Sequence, residues 1–185
     1  MTAVQDQDKT TAEPPDLERR VRALQRQYVR AVDGKRLDDW VSLFAPDCSY
    51  IVTTRENEER GLPLALVYDD SSDRVRDRVV YIQEVWKGHF NDYRQRHILS
   101  DAEVSWVGDE ARVSVGFAVY ISEPTKIGSQ LLASGEYVDV VVFEGGVSEG
   151  GLSEGGLSEG GVPRFREKRV ILDADVLPRY FVYPL

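Results

Sequence analysis

The run from Ala111 to Ser122 constrains the fold of this chain more than any other stretch. Val113, Val115, Phe117, Val119 and Ile121 recur at every second position, with Arg112, Ser114, Gly116, Ala118 and Tyr120 between them. Successive side chains of a strand point to opposite faces, so this spacing predicts one long strand with one buried face; on a helix the same residues would scatter around the axis. Arg96 to Val107 reads as its hairpin partner, joined through Gly108-Asp109-Glu110. Leu131 to Phe143 alternates again through Val138, Val140 and Val142, and Phe165 to Val176 supplies a last strand.

A sheet with one apolar face needs a second layer, and the first half of the chain offers helices for it. Asp16 can cap a helix whose apolar positions are Leu17, Val21, Leu24, Tyr28 and Val32, stopped by Gly34. A short second helix is expected from the stripe Leu37, Trp40, Val41 and Phe44, closed by Pro46, and Cys48 to Thr54 reads as a strand. Arg55 to Asp70 is a charged connection, longer than usual. Ser71 or Ser72 then caps a third helix carrying Val75, Val79, Ile82 and Trp86 and ending near Gly88. Helices followed by an antiparallel sheet make an α+β plan, and 185 residues at 42% hydrophobic content suit one domain. Its expected limits are residues 16–185, after a disordered lead-in over 1–15 that ends in Pro14 and Pro15.

One stretch stands apart. Gly145-Gly146-Val147-Ser148-Glu149 is followed by the same five-residue pattern from Gly150 and from Gly155, ending in Gly160-Gly161-Val162. The period is too short for a solenoid, and paired glycines carry high chain entropy, so residues 145–161 are expected to form a flexible hairpin insertion. Calcium-binding repeats use a longer period with aspartate ligands, whereas this tract has only Glu149, Glu154 and Glu159.

Charge and ligand counts exclude several functions. The formal net charge of −9 repels phosphate backbones and anionic lipid, so neither nucleic acid nor a membrane is expected as a partner. The polar N-terminus lacks a signal peptide's basic start and apolar stretch, and no apolar run reaches membrane-spanning length, so a cytoplasmic location is expected. Cys48, His89 and His97 are the only Cys and His residues, which rules out an internal disulfide and is too few for a structural zinc or iron–sulfur site. An iron site of two histidines and a carboxylate would need His89 and His97 to converge. Cys48 has no basic neighbour to activate it and is expected to be inert core.

The one constellation able to move protons is His97 with Asp69 or Asp70, although Asp70 can equally serve the third helix's N-terminus and His97 can face a partner chain. Interface candidates are Arg94 and Arg96, whose guanidinium groups suit bidentate pairing, with His97, Trp106, and Tyr180, Phe181 and Tyr183 of an apolar tail. That tail either covers its own core or docks on another subunit. Trp40 and Trp86 fall on helical stripes and are expected in the core.

Several segments, taken in order, resemble the small (beta) subunit of the aromatic-ring-hydroxylating dioxygenases, a member of the NTF2-like cone-fold group. They are Asp39-Trp40, Leu43-Phe44 and Tyr50; Glu56-Asn57 with Gly61; Tyr68-Asp69-Asp70; Arg78-Val79; Arg96-His97-Ile98-Leu99-Ser100; Gly135 with Asp139; and Arg169 to Asp173. The resemblance covers residues 17–185 apart from the glycine repeat, and Asp101 departs from it where an asparagine is usual. It implies N-terminal helices packed on a strongly curved antiparallel sheet, in a chiefly structural subunit of a complex that adds O2 to an aromatic ring. It further implies that a large (alpha) subunit carries a Rieske 2Fe-2S cluster and a mononuclear iron, and shapes the substrate site. The implied complex has three large and three small subunits and draws electrons from NADH through a separate reductase. The competing readings are a stand-alone dehydratase, isomerase or cyclase using His97 with Asp69 or Asp70, and a non-catalytic ligand-binding module.

Overall fold

Leu17, Val21, Leu24, Tyr28 and Val32 form the buried stripe of α1 (Pro15–Asp33) in the computed structural model, which describes residues 15–89, 92–145 and 161–185. The lead-in before Pro15 and the repeat over 146–160 lie outside the described residues, although the strands flanking the repeat pair as far as Glu144 and Val162. After α1 come α2 (Leu37–Val41), β1 (Phe44–Thr54), α3 (Arg55–Glu59), β2 (Val67–Asp69) and α4 (Ser72–Val80). A π-helical turn, Tyr81–Val85, extends α4. The remaining strands are β3 (Arg94–Leu99), β4 (Glu103–Val107), β5 (Glu110–Ser122), β6 (Gln130–Glu144) and β7 (Val162–Leu172).

Local signals place most of these elements. Ser71 caps α4, its hydroxyl accepting from the Arg74 amide at 3.4 Å, and Thr54 does the same for the Asn57 amide of α3. Three boundaries differ from the sequence reading. Phe44 and Pro46 belong to β1 rather than to the second helix, and Pro46 fits there because the β1 pairing shifts register between Phe44 and Ser49. The long Arg55–Asp70 connection contains α3 and β2. The expected strand from Arg96 to Val107 is two strands, broken where the Ser100 hydroxyl accepts from the Gly116 amide at 2.9 Å.

The strands form one sheet in the order β2-β1-β7-β6-β5-β3, with β4 also pairing β5. All pairings are antiparallel except β1 with β7, which is parallel, so the sheet is mixed rather than antiparallel as expected. Hairpin partners are antiparallel by necessity, but β1 and β7 are joined through most of the chain, which leaves their relative direction to the tertiary fold. Helix α1 crosses one face, reaching β6 and β7 through Gln25 and Tyr28 and β3 through Asp33. Between helices and sheet, Tyr28, Trp40, Phe44, Tyr50 and Phe165 pack mostly edge to face at centroid distances of 5.0 to 6.4 Å.

Gly135 sits on β6 against the backbone of β7. A Cβ there would fall inside the contact distance of the Ile171 carbonyl oxygen, a backbone atom that cannot rotate away. Gly135→Ala should therefore cost about 1–3 kcal/mol, read from the denaturation midpoint. An unchanged midpoint would show that β7 can retreat freely.

Candidate functional site

Strand β3 divides its side chains between two environments. Gln95 and His97 point into the core, while Arg94, Arg96 and Ile98 face outward, as the two-residue period requires. His97 meets Asp33, the last residue of α1: the ring Nδ1 lies 2.7 Å from one carboxylate oxygen, and the His97 amide donates to the other at 3.1 Å. The His97 side chain is fully enclosed, and its Nε2 has no hydrogen-bond partner among the described residues.

The expected acid–base partners are engaged elsewhere. Asp69 holds the Arg78 guanidinium through two hydrogen bonds, at 2.5 and 3.1 Å, and Asp70 pairs with Arg74 at 3.2 Å on the surface. Strands β2 and β3 end the sheet at opposite sides, so the grouping of His97 with Asp69 or Asp70 is corrected: the carboxylate beside His97 is Asp33. Among the described residues no three His, Cys, Asp or Glu side chains gather as metal ligands, and His89 is exposed. The described residues therefore do not fit an iron centre. Cys48 is buried, and burial pushes its thiol up to about 11.

The most strongly polar place in the interior is one the sequence reading missed. Lys168 on β7 and Asp139 on β6 are both fully buried, with Nζ 2.9 Å from Oδ2. Gln25 of α1 closes the triangle, its Nε2 donating to Asp139 at 2.6 Å and its Oε1 accepting from Lys168 at 3.2 Å. The ammonium also lies 3.5 Å from the centroid of the Tyr137 ring and 4.4 Å from that of Tyr28, in cation–π contact. Burial pushes the Lys168 amine down to about 8, with the Asp139 charge opposing that shift. Burial likewise pushes the Asp139 carboxyl up. The group clamps α1 to two strands. The valine spacing of β6 concealed it: Asp139 shares the inward side of Tyr137 and Val141, while Val138 of the expected alternating set is 39% exposed.

The tail separates the interface candidates. Val182, Tyr183 and Leu185 are buried in this chain's own core, and Phe181 packs against it half-buried. The Tyr28 hydroxyl donates to the Leu185 carbonyl at 2.5 Å, the Leu185 amide donates to Tyr50 Oη at 3.0 Å, and Gln95 donates to the Pro184 carbonyl at 3.1 Å. Tyr183 is thereby corrected from a docking anchor to internal packing, while Phe181 keeps part of its surface exposed. Trp106 is half-buried and stacked on Phe143, and His97 faces inward. Arg94, Arg96 and Tyr180 remain exposed. Beside the two arginines, Ile98, Tyr120 and Leu131 make an outward apolar patch on β3, β5 and β6, held together by the pairs Arg96↔Tyr120 and Tyr120↔Leu131. Among the described residues, no helix is long and apolar enough to cross a membrane.

Comparison with known proteins follows the same lines. The family model described as the ring hydroxylating beta subunit matches residues 27–148. The terephthalate 1,2-dioxygenase terminal oxygenase component subunit beta 2 of Comamonas sp. is 29% identical over 120 residues, 64% of this chain and 76% of the relative. The crystal structure of the beta subunit of a candidate aromatic-ring-hydroxylating dioxygenase from Novosphingobium aromaticivorans superposes with a TM-score of 0.70 at 26% identity, covering 86% of this chain and 90% of that one. A candidate scytalone dehydratase from the same organism shares the fold at 17% identity, with a TM-score of 0.57 over 90% and 89% of the two chains.

Proposed function

The chain belongs to the ring-hydroxylating dioxygenase beta-subunit family, and from that premise we propose that it serves its complex by assembly rather than by chemistry. In this reading a large alpha subunit holds the Rieske cluster, the mononuclear iron and the aromatic substrate, and receives electrons from NADH through a separate reductase. Three large and three small subunits make up the complex, which works in the cytoplasm.

The observation that supports a structural role is the use of the interior. Three polar side chains there, Tyr28, Tyr50 and Gln95, are hydrogen-bonded to the chain's own tail, which fills the space beside them. The outer face carries the features of a contact surface, with Arg94 and Arg96 beside Ile98, Tyr120 and Leu131. Tyr180 is a further surface candidate.

Co-expression with the large subunit tests the proposal. The two chains should co-purify in equal numbers, with the iron following the large subunit. Arg94→Glu with Arg96→Glu should leave the isolated chain folded, since both side chains are exposed, yet weaken association at least tenfold. A chain that stays monomeric beside its large partner would sink the reading, as would association indifferent to the double reversal for the assignment of this face. Turnover of a substrate by the isolated protein, lost in His97→Ala or Asp33→Asn, would move the function to the His97–Asp33 pair instead.

A further inference from the structure

The two ends of the sheet are finished differently. At the β3 end the outward side chains include Arg94 and Arg96, and the His97 amide, which points off the edge, donates to the Asp33 carboxylate at 3.1 Å, so the chain itself caps that edge. Strand β2 closes the other end, pairing β1 on one side with no strand beyond it among the described residues. Its Val67 and Asp69 are buried and its Tyr68 is 57% exposed, while Leu64 and Leu66 in the segment leading in are 59% and 53% exposed. Residues 64–69 hold no lysine, arginine or proline. An end strand with large apolar side chains and none of these blocking residues is the form to which a partner adds a further strand.

The leading segment is fixed in place. The Leu66 amide donates to the Val52 carbonyl at 2.7 Å, and the Leu64 carbonyl accepts from Thr53 Oγ1 at 2.8 Å and from the Asn57 side-chain amide at 3.4 Å. The backbone is thus held against β1 while both leucine side chains stay more than half exposed. Nearby charges are matched within the chain, Asp69 by Arg78, Asp70 by Arg74 and Glu56 by Arg60. A partner therefore meets backbone and apolar surface here rather than an unmatched charge.

The position of this edge restricts what covers it. Residues 146–160 start and return where the β6–β7 pairing ends, at Glu144 and Val162, whereas β2 lies in the row of Val52 and Val170, about 26 Å away along β7 and two strands over. A loop of that length returning to its own start reaches about 25 Å at most, short of β2. Residues 1–14 hold only Met1 and Val4 as large apolar side chains. A second copy carries the same net charge of −9, which opposes its approach. The large subunit is under none of these restrictions.

We propose that the large subunit adds an extended, uncharged apolar segment to β2 as a further strand, packed beside Leu64, Leu66 and Tyr68. This rests on the assembly reading above and gives the chain a second contact, at the opposite end of the sheet from Arg94 and Arg96.

Hydrogen–deuterium exchange of the full chain, alone and co-purified with the large subunit, tests the added strand. Amides of residues 64–69 should exchange at least tenfold more slowly in the complex. Tyr68→Lys and Leu66→Lys, both at exposed positions, should leave the melting temperature of the isolated chain unchanged and each weaken association at least fivefold. Tyr68→Phe keeps the ring and should bind like the parent. Since the two contacts are far apart, the loss from Tyr68→Lys should multiply with that from Arg94→Glu and Arg96→Glu.

Unchanged exchange at 64–69 in a complex that does form, or association indifferent to both lysine variants, would overturn the proposal and leave the assembly reading standing. A chain that never binds the large subunit removes the assembly reading, and this proposal with it. Protection of 64–69 that grows with concentration in the chain alone would make a second copy the occupant, and the large-subunit assignment would fall.

Discussion

Replacing Lys168 with methionine should destabilise the protein by about 3–5 kcal/mol, because it removes one member of a buried ion pair and leaves the other charged and unpaired. Asp139 is fully buried and its Oδ2 lies 2.9 Å from the lysine ammonium, with Gln25 as its remaining side-chain donor. The rings of Tyr137 and Tyr28 would also lose their cation. The double variant Lys168→Met with Asp139→Leu should recover most of the loss, since it removes both charges from an apolar surrounding. Urea denaturation of the singles and the double measures this, and a double no more stable than Lys168→Met alone would mean the pair is not a coupled unit.

The same pair sets a pH dependence. The folded Lys168 titrates at about 8, below the ordinary lysine value of 10.5, so between those pH values the unfolded chain binds more protons than the folded one. Stability from this group therefore rises with pH across that window, and below it the full cost of burying the charge applies. At the upper end the rise is opposed by Tyr28, Tyr50 and Tyr137, whose hydroxyls burial pushes above their usual value, to about 12 for Tyr50. The double variant should lose the alkaline rise between pH 8 and 10 and keep the fall above it.

Deleting Phe181 to Leu185 should abolish cooperative unfolding of the isolated chain or lower its Tm by more than 10 °C. The deletion exposes the surface covered by Val182, Tyr183 and Leu185, each contributing about 1.5–3 kcal/mol by burial. It also removes the tail's hydrogen bonds to the hydroxyls of Tyr28, Tyr50 and Tyr93, each worth about 0.5–1.5 kcal/mol net. The total rivals the net stability of about 5–15 kcal/mol that holds an ordinary domain together. Leu185→Ala is the milder test and should cost about 2–5 kcal/mol. A deletion variant that melts like the parent but no longer binds the large subunit would instead make the tail a docking arm.

The two strands of the Lys168–Asp139 pair illustrate how far the sequence could be read. The alternation of β5 was legible because every inward residue from Val113 to Ile121 is apolar, and the buried pattern of the strand matches it. On β6 the valines at 138, 140 and 142 concealed the register, since Tyr137 and Asp139 take inward places, Val138 faces out, and a register shift between Val140 and Val141 buries both of those. A one-residue slip exchanges the faces of a strand, and an inward aspartate reads as an outward one until its lysine is known. His97 was paired in sequence with Asp69 or Asp70, whereas Asp33 is 64 residues away, on a helix whose docking angle no local spacing reveals.

The sequence by itself determined the order and type of most elements, the inert setting of Cys48, the lack of ligands for an iron–sulfur cluster, and the ordered segments that resemble the beta-subunit family. These follow from side-chain chemistry and from periodicity over a few residues, which need no knowledge of distant neighbours. Only the tertiary structure decided that β1 and β7 run parallel, that Asp33 serves His97, that Gln25 joins Asp139 and Lys168, and that the tail fills its own core. Each of these depends on which remote surfaces exclude water together. A buried charge or a free apolar end is tolerable only once its partner has arrived, and that arrival is a property of the folded whole.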